Sequence, residues 1–442
     1  FSLSRARTSL FTPERQVAPA PGVLRSILSI VTASWLNLLL VFIPLSWAFN
    51  FADKDQHTLI FVFSFLAIIP LAKLLAFATD ELSMRVGQTL AGLLNATLVC
   101  LFLHLIIALT KCQLTIVQSS LIGSILSNLL LVLGMCFFAG GIKFSEQGFG
   151  ASATQLNASL LTISVIAVLL PAAFRFSVTT GTTGSDPDAG QDILKFSHGV
   201  ALILLFIYGS YLFFQLYSHA TMYGDDSKDI IKSTKYVPRE KRKKGETTTN
   251  NVPATDVENG IAPEEQEPEE PEVPQLSLYM TLGLLAVVTV LVAVTAEWLV
   301  DSVDGLTESG AITKEFVGII LLPIVGNAAE HVTAVSVSVK DKLTLSLGVA
   351  AGSSIQIALF VIPFIVTLGW ILDKPLTMLF DPFESIALFL SVLTVNYVVQ
   401  DGKSNWLEGM ILMCLYVILA TTFFFYPGSQ DTDFANILPK CT

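Results

Sequence analysis

The stretch FVGIILLPIVGNAAEHVTAVSVSV, Phe316 to Val339, decides how this chain is read. It is long and apolar enough to cross a bilayer, which takes about 20 residues. Its middle nevertheless carries Pro323, Gly326, Asn327, Glu330 and His331. An ionisable group at that depth is expensive, so such residues face a partner, a cavity or an ion path. Pro323 removes one backbone hydrogen bond and Gly326 loosens the chain beside it. Backbone freed at membrane depth is tolerated where it lines a polar cavity. Asn327 and Glu330 are three apart and share a helix face. Together they offer hard oxygen ligands of the kind that suits calcium. A buried hydrogen-bonded pair joining two helices is the simpler reading of the same residues.

Working outward, the chain is 52% hydrophobic and 14% charged, with mean hydropathy +0.67. That composition indicates a polytopic membrane protein rather than a soluble one. The net charge of -11 does not point to nucleic acid, because the acids gather in loops. Cys100, Cys112, Cys136, Cys414 and Cys441 show no metal spacing and no disulfide framework. The chain begins at Phe1 rather than Met, so a trimmed or partial N-terminus is expected, without a cleavable signal peptide.

Apolar spans are expected at about 33–50, 57–79, 86–109, 114–141, 153–174, 196–222, 276–301, 313–339, 343–372, 382–400 and 405–426. With a cytosolic N-terminus, 17 of the 25 Lys and Arg fall on the cytosolic side, seven on the other, and Lys73 within a span. This positive-inside bias places the N-terminus in the cytosol and the C-terminus on the opposite, lumenal side. The expected fold is an all-α polytopic membrane protein of 11 transmembrane helices, one extra N-terminal helix plus two inverted five-helix repeats. Its parts are a cytosolic arm (1–32), the extra helix (33–50), a first repeat (57–222), a cytosolic linker (223–275), a second repeat (276–427) and a short tail (428–442).

The linker starts basic (Lys235, Arg239, Lys241, Arg242) and turns acidic, with nine acids and no Lys or Arg from Gly245 to Gln275. Such a segment cannot bury a core and is expected to be largely disordered, a solvated tether or a cation-attracting regulatory segment. The halves on either side echo each other. Gly123-Ser124 with Ser127 matches Gly352-Ser353 with Gln356, and Asp80 stands where the other half has Glu297. Five spans per half, an odd number, make the repeats inverted, which is a transporter arrangement with its site at the midplane. Ser127 and Gln356 would singly be interhelical glue, but their recurrence in both halves favours a substrate path.

The runs Gly326-Asn327-Ala328-Ala329-Glu330-His331 and Gly352-Ser353-Ser354-Ile355-Gln356 closely resemble the second-half motifs of the calcium/cation antiporter superfamily. The nearest likeness is to the calcium/proton exchangers of fungal and plant vacuoles. It extends from Asn37 to about Pro427 and includes Ala78-Thr79-Asp80-Glu81-Leu82 and Ser404-Asn405-Trp406-Leu407-Glu408-Gly409. The resemblance implies calcium uptake into an acidic vacuole, driven by protons moving out, by a multi-pass protein of the vacuolar membrane. It also implies one motif glutamate per repeat that coordinates calcium or carries protons. The expected partners are calcium, protons and the lipid bilayer, with manganese or other divalent cations as further candidates. No cofactor is expected, no nucleic acid, no enzymatic activity, and the oligomeric state stays open.

The first-half motif breaks this pattern. After Asn95-Ala96-Thr97, where the family continues Gly-Asn-Ala-x-Glu, this chain reads Leu98-Val99-Cys100-Leu101-Phe102-Leu103-His104. Without a gap, the expected asparagine falls on Cys100 and the glutamate on Leu103. Either the sequence carries a wrongly joined segment or the chain is a diverged paralogue. His104 reads as a packed polar group.

If the family mechanism holds, calcium and protons compete for Glu330, since a bound cation favours the ionised form and a dry cavity the neutral one. The ion-binding and proton-coupling set is then Glu330, Asn327, Gly326, Ser353, Gln356, Ser124 and Ser127, with Glu330 as the calcium-ligating acid. Calcium takes 6–8 oxygens, which is why several spans must contribute. Asp80, Glu81, Glu297 and His331 are candidates for cation access or proton relay. For the first three the simpler reading is a solvated helix-end charge, and for His331 packing. Two other functions stay open: a degenerate paralogue acting as a scaffold, and a sodium- or potassium-coupled calcium exchanger.

Overall fold

Lipid offers no partner to a free N–H or C=O, so an apolar span folds as a helix that satisfies both within itself. A computed structural model of the chain describes residues 19, 21–53, 55–86, 100–181, 189–219, 222–223, 229–236, 274–308, 312–428 and 441. In chain order the helices are α1 (Val23–Thr32), α2 (Trp35–Ala52), α3 (His57–Val86), α4 (Cys100–Thr110), α5 (Leu114–Lys143), α6 (Ala151–Gly181) and α7 (Ala189–Phe213). After the linker come α8 (Leu278–Glu308), α9 (Lys314–Gly326), α10 (Ala328–Ser338), α11 (Leu343–Ile371), α12 (Pro382–Val398) and α13 (Trp406–Phe425). Eight described helices are long and apolar enough to cross a membrane, or nine if the bent pair α9–α10 is one span. The shorter α12 has 17 residues. Most of the arm, residues 87–99 of the third expected span, most of the linker and tail residues 429–440 lie outside the described residues.

The last part of the expected polar arm is helical. On α1, Val23, Leu24, Ile27, Leu28 and Val31 are exposed at the three- and four-residue spacing of one apolar face, which suits a helix lying at a bilayer surface.

The helices bury their apolar faces in two clusters. Along their length α3 and α8 pack together, and with α2 they enclose Ile68, Leu71, Leu75, Val292, Leu299 and Val303. The larger cluster centres on α5 and α11 and draws in α6, α7, α12 and α13. Between them, α5 crosses the start of α9 at very short range. A Cβ on Gly123 would overlap the backbone of Ile319, and one on Gly318 would meet Ser119. At Gly123 glycine is required because the obstacle is main chain.

Four π turns are described: Ser127–Val132 in α5, Val317–Leu321 in α9, Ile357–Val361 in α11, and Phe214–Ser218 at the end of α7. Matching Gly123-Ser124 to Gly352-Ser353 sets Ser127 on Gln356, so the turns of α5 and α11 begin within one residue of each other. Such insertions are rare and concentrate at functional sites.

The all-α expectation needs a correction. Segments β1 (Phe144–Gly148), β2 (Thr234–Lys235) and β3 (Lys403–Ser404) form an antiparallel sheet in the order β2-β1-β3. Phe144 pairs with Lys235 and Gln147 with Ser404. Strands this short carry no readable alternation. The sheet also corrects the tether reading for the start of the linker, because 229–236 is docked. The Asp229 carboxylate accepts from the Ser152 amide at 2.8 Å, and hydrogen bonds from Ser152 hold its carboxyl below the usual range. Buried Gln147 donates to Ser338 O at 3.0 Å and Asp341 Oδ1 at 3.3 Å, tying the sheet to the end of α10.

A second correction concerns the cysteines. Cys112 and Cys441, 329 positions apart, form a disulfide with Cα atoms 5.9 Å apart. A pair so remote leaves no spacing signature. Beside it, Lys111 pairs with Asp301 and with Glu297 at 3.2 Å. Partial burial opposes the charge on Lys111, but these hydrogen bonds and charges outweigh it and hold the ammonium above its ordinary range.

Candidate functional site

The site grows from the break that Pro323 and Gly326 build. Helix α9 ends at Gly326, Asn327 leaves helical geometry (φ -101°, ψ 7°), and α10 departs at 60°. A broken helix leaves end carbonyls and first-turn amides without intrahelical partners. The expected interruption is therefore present, and Asn327 is its corner.

Asn327 is 2% exposed. Its Nδ2 donates to Ser127 Oγ at 3.3 Å and Asn128 Oδ1 at 3.4 Å, where the π turn of α5 begins. The break in the second half thus contacts the π turn of α5 in the first. Glu330, one turn beyond, is half-buried, and Ser353 of α11 lies within reach of its carboxylate. Gln356, half-buried, lies one turn further along α11. Gly348 and Gly352 have open space where a side chain would project, on the face they share with Gln356 by four-residue spacing. Asn327, Ser127, Glu330 and Ser353 are therefore brought together as the sequence expects. Oxygen donors from α5, α10 and α11 with one carboxylate form a set that suits a hard cation. Among the described residues no group of three His, Cys, Asp or Glu could hold a metal ion, so neutral oxygens must supply most ligands.

Ser124 adjoins this cluster, since Ser127 Oγ donates to its carbonyl at 3.1 Å, whereas Glu81, Glu297 and Asp80 lie elsewhere. The hydroxyl of Ser124 and Nε2 of buried His331 have no hydrogen-bond partner among the described residues. Glu81 is 1% exposed and accepts from Gln275 N at 3.0 Å and Leu276 N at 3.0 Å. It anchors the approach to α8, as a carboxylate near a helix N-terminus does well. Glu297 is held by Lys111, and Asp80 is exposed on α3. Leu98 and Val99 lie outside the described residues, as do the side chains of Cys100 to His104.

Sequence reasoning missed Glu384. It is 1% exposed in the first turn of α12, and Ser119 Oγ donates to its Oε1 at 2.5 Å. The signal was available, since an ionisable residue within the span expected at 382–400 is as costly as Glu330. Asp381-Pro382 masked it by making the segment look like an ordinary helix start.

Comparisons with known proteins agree with this geometry. The model of the family described as sodium/calcium exchanger protein matches residues 56–217 and 280–425, one stretch on each side of the linker. The chain is 49% identical to a vacuolar calcium ion transporter of Cryptococcus neoformans, covering 97% of this chain and 79% of that protein. That alignment runs over 481 positions against 442 residues here, so the relative has residues without a counterpart in this chain. A Ca2+/H+ antiporter of Aphanothece halophytica is 39% identical, covering 88% of this chain and 96% of its own. The solved structure of native YfkE superposes with a TM-score of 0.66 at 27% identity, covering 88% of this chain and all of that one. The family model spans both sides of the linker, and the broken helix of the second half sits against the π turn of α5: the chain belongs to the sodium/calcium exchanger protein family.

Proposed function

We propose that the chain is a secondary active calcium/proton antiporter that moves cytosolic calcium into an acidic vacuole by alternating access. One observation carries this reading: Glu330 sits beyond a broken span, with Ser353 of α11 within reach, beside the contact of Asn327 with Ser127 and Asn128. Calcium bound there takes the Glu330 carboxylate and neutral oxygens from α5, α10 and α11. A proton on Glu330 removes the one full negative charge and releases the ion. Opposed movement follows from that exclusion: the acidic side unloads calcium and the neutral side loads it. Manganese, another cation suited to carboxylate and carbonyl oxygens, competes for the same atoms.

The eleven-span layout with two inverted five-helix repeats belongs to this proposal. It is supported by the matched π turns of α5 and α11 and by the two-part family match. The orientation, with the N-terminus cytosolic and the C-terminus lumenal, is supported by the Cys112–Cys441 disulfide. Both cysteines then lie on the lumenal side, and disulfides persist away from the reducing cytosol. Among homologues the names describe proton-coupled or vacuolar calcium transport, which favours this reading over a sodium-coupled exchanger or a scaffold.

The test is uptake of radiolabelled calcium driven by a proton gradient into vesicles. One sample carries the chain as it stands and a second has Gly-Asn-Ala-Val-Glu inserted after Leu98. A single acid leaves one of the two calcium charges unmatched in a dry site, which is costly. Uptake is therefore expected to rise at least about tenfold on restoration. Equal uptake by both chains shows that Glu330 suffices, and no uptake by either overturns the antiport reading.

A further inference from the structure

Glu384 is a buried carboxyl that the calcium site does not use. It is held from α5 by Ser119, which precedes Ser127 by eight residues, or about 12 Å along the helix. It therefore lies well to the lumenal side of the Asn327 contact in the orientation proposed above. Along the interval α5 carries Ser120, Ser124 and Ser127 with Asn128, at the spacing of one helix face. All four are fully buried. The hydroxyls of Ser120 and Ser124 and Nδ2 of Asn128 have no hydrogen-bond partner among the described residues. Orphaned buried polar groups are rare because each carries a desolvation cost, so a run of them on one face requires a cause. Among the described residues, nothing in the packing of the two apolar clusters supplies one. A polar path joining Glu384 to the calcium site does.

The titratable groups around Glu384 agree. Asp381 lies at the start of its own helix and Glu315 at the start of α9, both within electrostatic reach. Tyr426, at the end of α13, donates to Asp381 Oδ2 at 3.0 Å. The nearby Lys314 is engaged by Asp304. The described charges within reach of Glu384 are thus acids, a surrounding that gathers protons and leaves no cation to lock the carboxylate ionised.

We propose that Glu384, positioned by Ser119, is the lumen-side proton-loading residue of the exchanger, connected to Glu330 by the hydroxyl row of Ser120, Ser124 and Ser127. This rests on the antiport reading. A proton arriving from the lumen forms an O–H bond on the Glu384 carboxylate. It leaves along the row, where each hydroxyl or bridging water accepts one proton as it releases another, and ends on Glu330. The Glu384 carboxylate is regenerated, with no change of oxidation state.

The experiment separates proton coupling from calcium handling in one vesicle preparation. Proton-driven calcium uptake is measured over a range of lumenal pH, beside calcium-for-calcium exchange at equal pH on both sides, which moves no proton. Glu384→Gln is expected to cut proton-driven uptake at least tenfold and to flatten its lumenal pH profile. Calcium-for-calcium exchange should stay within twofold, and Glu384→Asp should restore coupling in part. Ser119→Ala should shift the midpoint of the pH profile and spare calcium-for-calcium exchange. Unchanged proton-driven uptake in Glu384→Gln overturns the proposal. So does an equal fall of both modes without rescue by Asp, which marks a structural role. The variants are compared in both the chain as it stands and the chain with the restored motif. An unsubstituted chain inactive in both forms defeats the antiport reading itself, before any variant is compared.

Discussion

Replacing Glu330 by glutamine is expected to abolish proton-driven calcium uptake, a loss of at least about 100-fold, with the protein still folded and inserted. Glutamine keeps the size and the hydrogen-bonding reach toward Ser353 but cannot ionise. Removing one partner of a buried charge pair costs about 3–5 kcal/mol, and about 1.4 kcal/mol is a factor of ten in affinity. The estimate therefore reaches two to three orders of magnitude. Glu330→Asp keeps the charge but retracts it by one methylene, and a smaller loss is expected. Radiolabelled uptake with a parallel check of membrane insertion measures both. Calcium transport that survives in Glu330→Gln removes Glu330 from the site.

The second large effect is at Gly123. Its missing Cβ lets α5 lie against the main chain of Ile319, and the atoms that a methyl group would strike are carbonyl O, C and Cα. A flexible side chain could swing away, but this neighbour can move only with the whole start of α9. Overpacking of a well-filled interior costs about 1–3 kcal/mol and more where relief is blocked. Gly123→Ala is therefore expected to destabilise by about 3 kcal/mol and to displace Ser127 from Asn327. A clear fall in the melting temperature of the detergent-purified protein, together with lost uptake, is the expected result. An unchanged melting temperature would show that the two halves do not cross at this point.

What the sequence disclosed depended on whether the cause was local. Pro323, Gly326, Asn327 and Glu330 stand within eight residues of one another in an apolar run, so the break and its carboxylate could be read directly. The pairing of Gly123-Ser124 with Gly352-Ser353 was legible too, and the structure gives it a physical counterpart in matched π turns. Features assembled from distant pieces were not legible. The sheet takes its strands from three separate loops, and each strand is too short for a pattern. Glu81 resembled a helix-end charge because its partners, the amides of Gln275 and Leu276, come from the far side of the linker. Glu384 was hidden by the Asp-Pro that starts its helix.

The disulfide has one more consequence. Together with the peptide chain, the Cys112–Cys441 bond closes a covalent ring that contains the linker and all of the second half. A protease that cuts once between residues 237 and 273 opens that ring without releasing a piece. The nicked protein should run as a single species on a denaturing gel, and only a reducing agent should divide it into two.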